Sequence, residues 1–264
     1  MMNLTVLTNL LTELRFIGLR EALSAQAQNE HWEDLPFYDR LHVLLEAEQL
    51  SRKNARLTMR LRQARLHHCV GMETLDFGSA RHLSKLLCLE LMQCRWVRAP
   101  QNILITGATG TGKTYLACAL AHQACIQGYT SRYYRLPRLL QELTIAEHTG
   151  MLPQSLKNLS QIDVLVLDDW GLSPLLDTHR RYLLELLDDR YHQRATVITS
   201  QLPVKHWHEY IGEVTLADAI LDRLVHQAQQ IALQGASLRA KKEGSEEHGK
   251  EKEMTTHTIT KEVE

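Results

Sequence analysis

Residues 102–114, with the sequence NILITGATGTGKT, constrain the fold more than any other stretch of this chain. Four residues typical of a strand, 103–106, lead into the pattern G-x-x-x-x-G-K-T, and an alanine-rich helical pattern follows over 115–127. The pattern consists of Gly107, Ala108, Thr109, Gly110, Thr111, Gly112, Lys113 and Thr114. A strand, this loop and a helix in that order predict a phosphate-binding loop, and the alternative is a glycine turn before a buried helix.

Each part of this loop suits a nucleoside triphosphate. Glycines allow the tight turn that aims several backbone N–H groups inward, and the positive end of the following helix adds to them. We expect Lys113 to reach the β- and γ-phosphates and Thr114 to place its hydroxyl on Mg²⁺. The sequence therefore predicts a nucleoside triphosphate as the ligand and Mg²⁺ as the cofactor.

A pair of acids follows a second apolar run, at 163–170, with the sequence DVLVLDDW. A strand that is apolar on both faces belongs in the middle of a parallel sheet, so its carboxylates are expected at the carboxyl edge beside the phosphate loop. Asp168 is the predicted second anchor for magnesium, and Asp169 is expected to orient the attacking water or accept its proton. The two acids could instead begin a turn, because Gly171 and Pro174 follow.

Further strands and helices are expected on both sides of the acidic strand. The run TVITS at 196–200 is another apolar strand, and we expect Gln201 at its tip to lie next to the acidic strand and face the γ-phosphate. A helical pattern over 216–226 carries Arg223, and Arg239 lies in the last segment with helical character. The other expected elements are a strand at 131–136 and helices at 137–148 and 178–192.

Arginines cluster in the N-terminal part of the chain. Helical leucine spacing runs from 4 to about 23, with Gly18 as the expected break, and a long helical pattern begins at 37. Between 51 and 71 the chain has no acidic residue, and the basic residues there are Arg52, Lys53, Arg56, Arg60, Arg62 and Arg65. Clustered arginines create a field that attracts nucleic-acid phosphates, and the alternative is a solvated helix face.

Length and composition limit the class of protein. The 264 residues suffice for one large domain or for a domain with a helical appendage, and the net charge of −1 gives no sign of nucleic-acid binding by itself. Five cysteines form no C-x-x-C pair, so we expect reduced, mostly buried thiols. Nowhere do about 18 uncharged apolar residues run together, so we expect no membrane span. We expect a cytoplasmic location instead.

The order of these motifs resembles AAA+ ATPases over about 100–240. Within that superfamily the segments DDWGLSPL (168–175), ITSQLPVKHWHEYIG (198–212) and LADAILDRLVH (216–226) are similar to the DnaC/IstB group, and in particular to IstB-like transposition helper ATPases of insertion sequences. The resemblance implies roles for four further residues. It makes Asp169 part of the Walker B motif, Gln201 the sensor-1 residue, Arg223 an arginine finger that reaches the nucleotide of a neighbouring subunit, and Arg239 the sensor-2 arginine that contacts ATP in its own subunit.

Two positions depart from the usual AAA+ pattern. Asp169 stands where most members have glutamate, and Gln201 where many have asparagine. The shorter acid reaches about one methylene less far, so slow hydrolysis is expected, as in a switch rather than a motor. For Arg223 the sequence also allows an ordinary surface or salt-bridged arginine.

The expected architecture is an α/β AAA+ P-loop domain with a parallel central sheet over 99–240, preceded by a small all-helical N-terminal domain over 1–98. A charged tail over 241–264 has no apolar periodicity and is expected to be disordered. The resemblance implies a protein that oligomerises as a ring or helix on duplex DNA and assists a transposase. Two alternatives remain: a DnaC-like replicative helicase loader, and a small-molecule kinase in which Arg132, Arg135 and Arg138 would line an acceptor pocket.

Overall fold

The structure is a computed structural model, and it describes residues 4–29, 32, 34–74 and 83–235. The chain forms two compact units, Met1–Arg62 and Gln63–Glu264. In the described part of the chain, no helix is long and apolar enough to cross a membrane. Arg239 and the tail over 241–264 lie outside the described residues.

The N-terminal unit is built from helices α1 (Leu4–Glu13), α2 (Ile17–Gln26) and α3 (Phe37–Ala64), of which α3 extends two residues into the second unit. The expected helix break at Gly18 is wrong, because the chain breaks between α1 and α2 and Gly18 is the second residue of α2. A Cβ atom on Gly18 would lie 2.5 Å from the Cβ of Ser51 and 2.6 Å from the carbonyl oxygen of Ala47. This glycine therefore allows α2 to pack closely on α3.

A buried carboxylate joins the same two helices. Glu48 of α3 is only 6% exposed, and it accepts hydrogen bonds from Leu19 N at 3.1 Å and Arg52 Nε at 2.6 Å. Leu19 lies in the first turn of α2, where backbone N–H groups have no partner within their own helix, so Glu48 caps α2 from outside. Burial raises the pKa of Glu48, but the hydrogen bonds from Arg52 and Leu19 outweigh it, and the pKa lies below its ordinary value.

Replacing Glu48 with glutamine is expected to lower the free energy of unfolding by about 1–2 kcal/mol at pH 7, because Arg52 loses its ion pair and the hydrogen bond from Leu19 becomes a neutral one. Because the pKa of Glu48 is lowered in the folded state, its contribution to stability is fully present at pH values above the unfolded-state pKa, near 4.5. The contribution is lost as the pH falls through the folded-state pKa. Urea unfolding at pH 7 and pH 3 measures it, with the exposed Glu46→Gln as control. A deficit as large at pH 3 as at pH 7 would contradict this account.

The second unit contains a parallel sheet with helices on both faces. Its strands are β1 (Ile103–Gly107), β2 (Ser131–Arg135), β3 (Val164–Trp170), β4 (Ala195–Ser200) and β5 (Gln229–Leu233). Its α-helices, within the described residues, are α4 (Lys85–Met92), α5 (Arg95–Arg98), α6 (Lys113–Ile126), α7 (Leu136–His148), α8 (Leu152–Ser160), α9 (Asp177–Arg190), α10 (Trp207–Ile211) and α11 (Val214–Val225).

The strands lie in the order β2-β3-β4-β1-β5, and all neighbouring pairs are parallel. This confirms the expected α/β class, and the first four strands begin and end within one residue of their predicted bounds. Strand β5 was not predicted, because its sequence QQIAL has too few apolar residues to stand out. Helix α8 was also missed.

The apolar core has two layers, one on each face of the sheet. Ile103 and Ile105 of β1 pack with α4 and α6 on one face, while Leu104 packs with the helices α7 to α11 on the other. Four cysteines are buried in the second unit and Cys69 is exposed, and all five are free thiols. Both faces of the sheet are therefore packed against apolar side chains, and the carboxyl ends of the strands project from this core.

Described residues between α3 and β1, in α4 and α5, belong to this core as well. Trp96 of α5 is 3% exposed and donates from Nε1 to the carbonyl oxygen of Leu91 at 3.0 Å. Together with Cys88 and Val97 it packs in the same cluster as α6. The compact second unit accordingly begins at Gln63, and the functional boundary at 98 stays a prediction.

Candidate functional site

The phosphate loop joins β1 to α6 at the carboxyl edge of the sheet. Gly107, Gly110 and Gly112 have φ values of 153°, 84° and 93°, in the region that favours glycine. A Cβ atom on Gly107 would lie 2.4 Å from the carbonyl oxygen of Leu233 in β5, so a larger residue does not fit there. Lys113 opens α6, and its Nζ donates to the carbonyl oxygen of Ala108 at 2.8 Å, which places the ammonium group within the loop.

Asp168, at the end of β3, lies directly opposite Thr114. The Thr114 hydroxyl is 3.0 and 3.1 Å from the two carboxylate oxygens, the Tyr133 hydroxyl donates to Oδ2 at 2.6 Å, and the Thr199 hydroxyl donates to Oδ1. The carboxylate is 3% exposed and is oriented by three neutral donors. A hydroxyl and a carboxylate at this separation supply the hard oxygen ligands that Mg²⁺ prefers, so Thr114 and Asp168 fit the predicted cofactor.

Tyr133, on β2, was not predicted from the sequence. Burial, followed by the hydrogen bond to Asp168, raises the pKa of Tyr133, so the phenol keeps its proton and acts as the donor. A tyrosine in a short strand gave no sign of this role, because the strand order that sets β2 beside β3 is not visible in the sequence. Tyr133 is a positioning residue for Asp168.

Replacing Tyr133 with phenylalanine is expected to raise the Mg²⁺ concentration needed for half-maximal nucleotide binding or hydrolysis by about 5- to 10-fold, because Asp168 loses one of its three hydroxyl donors. A Mg²⁺ titration at saturating ATP measures the shift. Tyr134→Phe, on the same strand, is the matched control. An unchanged Mg²⁺ dependence with a normal melting temperature would contradict the role assigned to Tyr133.

Asp169 has an unusual backbone conformation and an ion pair. Its φ is 64°, and its Oδ2 lies 2.7 Å from Nε of Arg135, the last residue of β2. The hydrogen bond that Arg135 donates to Asp169 raises the pKa of Arg135. The sequence singled out Arg135 only for the kinase alternative, and the ion pair with Asp169 was not foreseen.

Gln201 lies where β4 ends, beside the acidic strand as expected, because β3 and β4 are parallel neighbours. Its Oε1 accepts a hydrogen bond from the hydroxyl of Thr109 in the phosphate loop at 3.0 Å. The preceding Ser200 donates to the carbonyl oxygen of Trp170 at 2.7 Å, which joins the loops after β3 and β4. The structure thus brings Gln201, Asp168, Asp169 and the phosphate loop to one edge of the sheet.

Arg223 is not part of this group. It lies in the last turn of α11, and its Nε is 2.6 Å from Oδ1 of Asp188 in α9. Its carbonyl oxygen accepts a hydrogen bond from the side chain of Asn102, the residue before β1. The phosphate loop follows the other end of β1, and a strand of five residues is about 16 Å long. Arg223 therefore lies at the edge of the sheet opposite the phosphate loop. Arg239 lies outside the described residues.

The predicted DNA-contacting residues 52–62 lie on the second half of α3. Arg52 is tied to Glu48 and also lies over the Phe16 ring, 5.0 Å from its centroid, so its charge is partly committed within the unit. The other predicted cations, Lys53, Arg56, Arg60, Arg62 and Arg65, form no salt bridge with any residue that the structure describes. Arg65 follows the helix with a φ of 49°.

Comparisons with known proteins agree with this geometry. Two proteins of Sinorhizobium fredii, both named as insertion sequence ATP-binding proteins, are 44% and 41% identical over 87% and 90% of this chain and 94% and 96% of their own lengths. The crystal structure of DnaI is 19% identical with a TM-score of 0.55, over 67% of this chain and 94% of that one, which shows that the fold is shared. The fold is therefore the AAA+ P-loop fold. A family model described as IstB-like ATP binding protein matches residues 9–246, and this chain belongs to that family.

Proposed function

We propose that this protein is an ATP-hydrolysing switch that self-associates on duplex DNA and assists the transposase of an insertion sequence. The observation that carries the proposal is the grouping of Lys113, the Thr114–Asp168 pair and Gln201 at one edge of the sheet. The insertion sequences in the names of its relatives supply the biological setting.

In the proposed reaction a water oxygen attacks the γ-phosphorus of ATP, and the bond from that phosphorus to the β,γ-bridging oxygen breaks, which yields ADP and inorganic phosphate. Asp169 orients this water or accepts its proton, and Gln201 helps to orient it. Thr114 and Asp168 would hold Mg²⁺, which would supply positive charge to offset the negative charge of the phosphates. Since Asp169 is a short acid already bonded to Arg135, we expect turnover to be slow.

Arg223 would act on a nucleotide held by a second copy of the chain, because its own phosphate loop lies at the opposite edge of the sheet. An arginine supplied in this way stabilises charge on the transferred phosphoryl group. ATP would then stabilise the assembly and hydrolysis would release it. Arg239 would contact ATP within its own subunit.

The arginine-rich half of α3 would supply the DNA contacts. Its exposed cations without salt bridges are Lys53, Arg56 and Arg62, and the partly exposed Arg60 adds a fourth. Such residues contact phosphates and do not read sequence. Repeated along an assembly, many weak contacts of this kind add up to stable binding that depends on salt.

The first test is the mass of the purified protein in solution with long duplex DNA, long single-stranded DNA or neither, each with ATP and with ADP. The proposal predicts large complexes only with duplex and ATP together. Assembly on single strands alone, or only after a replicative helicase is added, would overturn it in favour of a helicase loader. Phosphate transfer to a small acceptor without DNA would revive the kinase alternative.

A triple variant, Lys53→Ala with Arg56→Ala and Arg60→Ala, tests the DNA surface separately. We expect normal ATP binding but at least about 10-fold weaker assembly on duplex DNA. The affinity for DNA should also depend less on salt concentration, because a protein with fewer phosphate contacts releases fewer counterions when it binds. Three alanine substitutions at exposed polar positions of the same helix, at Gln49, Asn54 and Gln63, are the control. Equal loss in both triple variants would show that helix stability, and not charge, is responsible.

A further inference from the structure

A concave basic surface lies at the edge of the sheet where the strands begin, opposite the phosphate loop. We call it the basal pocket, and the lining residues that matter here are Arg190, His192, Arg194, Thr196, Arg223 and His226. Among the described residues that line it there is no aspartate or glutamate. Three arginines and two histidines therefore face one depression without an acid in its wall.

Arg190 forms the floor of the basal pocket and is only 1% exposed. Its hydrogen-bond acceptors are the hydroxyl of Thr196 and the backbone carbonyl oxygens of residues 159, 160, 162 and 195, all of which are neutral. Burial, and then repulsion from Arg194, lowers the pKa of Arg190 to about 9, so the guanidinium remains charged at neutral pH. Its hydrogen bonds satisfy its donors without cancelling its charge, and the floor of the pocket stays positive.

The other two arginines have acidic partners outside the wall. Nε of Arg194 lies 3.5 Å from Oδ1 of Asp163, and the other oxygen of that carboxylate already accepts two hydrogen bonds from Thr130 at 2.8 Å. Arg223 is held more tightly, at 2.6 Å from Asp188. The Arg194 side chain is 44% exposed and its ion pair with Asp163 is long, so Arg194 can leave this partner and bind another anion with little loss of free energy.

We propose that the basal pocket binds the triphosphate of a nucleotide held by a second copy of this chain, with Arg194 as a second cation beside Arg223. This rests on the proposed function, in which the active site is shared between copies. The chain's own phosphate loop is at the far edge of the sheet, so a nucleotide that reaches this pocket must be held by another copy. The guanidinium groups of Arg194 and Arg223 can bind phosphate oxygens through paired N–H donors. With the charge of Arg190 beneath them, they suit the concentrated charge of a phosphate chain better than a single phosphate of DNA.

The residues have separate roles in this arrangement. Arg194 and Arg223 contact the phosphate oxygens directly. Arg190 remains in its carbonyl cage and acts as a positioning and electrostatic residue. The anion reduces the repulsion between Arg190 and Arg194, so binding strengthens when all three cations are present.

The test mixes two full-length variants on duplex DNA with ATP. Arg194→Ala retains its own nucleotide site but lacks the cation, whereas Asp169→Asn still binds ATP, assembles and presents Arg194 but lacks the carboxylate that orients the attacking water. Each alone is expected to hydrolyse ATP at least about 100-fold more slowly than the wild type. After random mixing in equal amounts, about a quarter of head-to-tail interfaces combine an intact nucleotide site with intact arginines, so activity should recover to a comparable fraction.

Four controls make the result decisive. Arg181→Ala, an exposed arginine on α9 outside the pocket, should keep the wild-type rate, and Arg194→Lys should keep part of it. ATP binding and the melting temperature of the Arg194→Ala monomer should match the wild type. The mixture of Arg223→Ala with Asp169→Asn tests the shared site itself.

The outcomes separate the two claims. If neither arginine variant recovers on mixing, the shared active site is wrong. If Arg223→Ala recovers while Arg194→Ala either keeps the wild-type rate or stays inactive in the mixture, the shared site stands and the role of Arg194 is overturned. Weaker DNA binding by Arg194→Ala without nucleotide, at an unchanged rate per assembled subunit, would assign the basal pocket to DNA and also overturn the proposal.

Discussion

Replacement of Lys113 by alanine is expected to abolish ATP binding and assembly on duplex DNA together. The ammonium group already lies inside the phosphate loop, 2.8 Å from the carbonyl oxygen of Ala108, and is placed to neutralise the phosphates. Its loss leaves the negative charge of the triphosphate without its principal side-chain partner, so the affinity for ATP should fall by at least about 100-fold. Titration with a fluorescent ATP analogue measures binding, and mass in solution with duplex DNA measures assembly.

The matched control for this prediction is Lys157→Ala, which removes an exposed lysine from the last turn of α8. It should leave both binding and assembly unchanged. Lys113→Ala should also retain the wild-type melting temperature in the absence of nucleotide. If this variant still assembles on duplex DNA to the wild-type extent although it no longer binds ATP, assembly does not depend on the nucleotide and the proposed switch is wrong.

Arg223→Ala is expected to lower the rate of ATP hydrolysis in the assembled protein by about 10³-fold or more, the effect of removing an arginine that acts in trans on a transferred phosphoryl group. Binding of ATP to the monomer should be unchanged, because Arg223 and the phosphate loop lie at opposite edges of the sheet. The fold should also persist, since the ion pair with Asp188 is partly exposed and contributes about 0–1 kcal/mol. Steady-state hydrolysis with saturating duplex DNA measures the rate.

The variant Asp188→Asn distinguishes a catalytic role of Arg223 from a structural role of its ion pair with Asp188. This variant keeps Arg223 but removes the carboxylate that holds it in the isolated chain, so hydrolysis should stay within about 3-fold of the wild type. A loss as large as that of Arg223→Ala would mean that the ion pair matters for structure and that the arginine has no role at a neighbouring nucleotide.

Local patterns in the sequence were sufficient for the nucleotide-binding half of the fold. Glycines at fixed spacing after a short apolar run predicted the loop, and strands that are apolar on both faces predicted a parallel central sheet. The same reasoning placed Asp168 and Gln201 at the carboxyl edge, and the parallel neighbours β3 and β4 confirm that these two strand ends are adjacent. Strand β5 escaped detection because a half-polar edge strand carries little periodic signal.

Contacts between elements distant in the chain could not be predicted in this way. Gly18 was expected to break a helix, and only the packing of α2 on α3 shows that its missing side chain allows close approach. Tyr133 and Arg135 contact Asp168 and Asp169 because β2 lies next to β3, and strand order is not encoded in the composition of either strand. The basal pocket likewise gathers residues from α9, α11 and the segments that precede β1 and β4.

The sequence by itself therefore determined the loop that accepts phosphates, the acids and amide that accompany it, and the class of sheet that carries them, because these depend on spacing within single strands and turns. Only the tertiary structure decided which side chains orient the acids, how Glu48 caps a helix from outside, and where Arg223 and Arg194 lie relative to the phosphate loop. Those features depend on distances between elements far apart in the chain, which are set by the packing of the whole core and not by local periodicity.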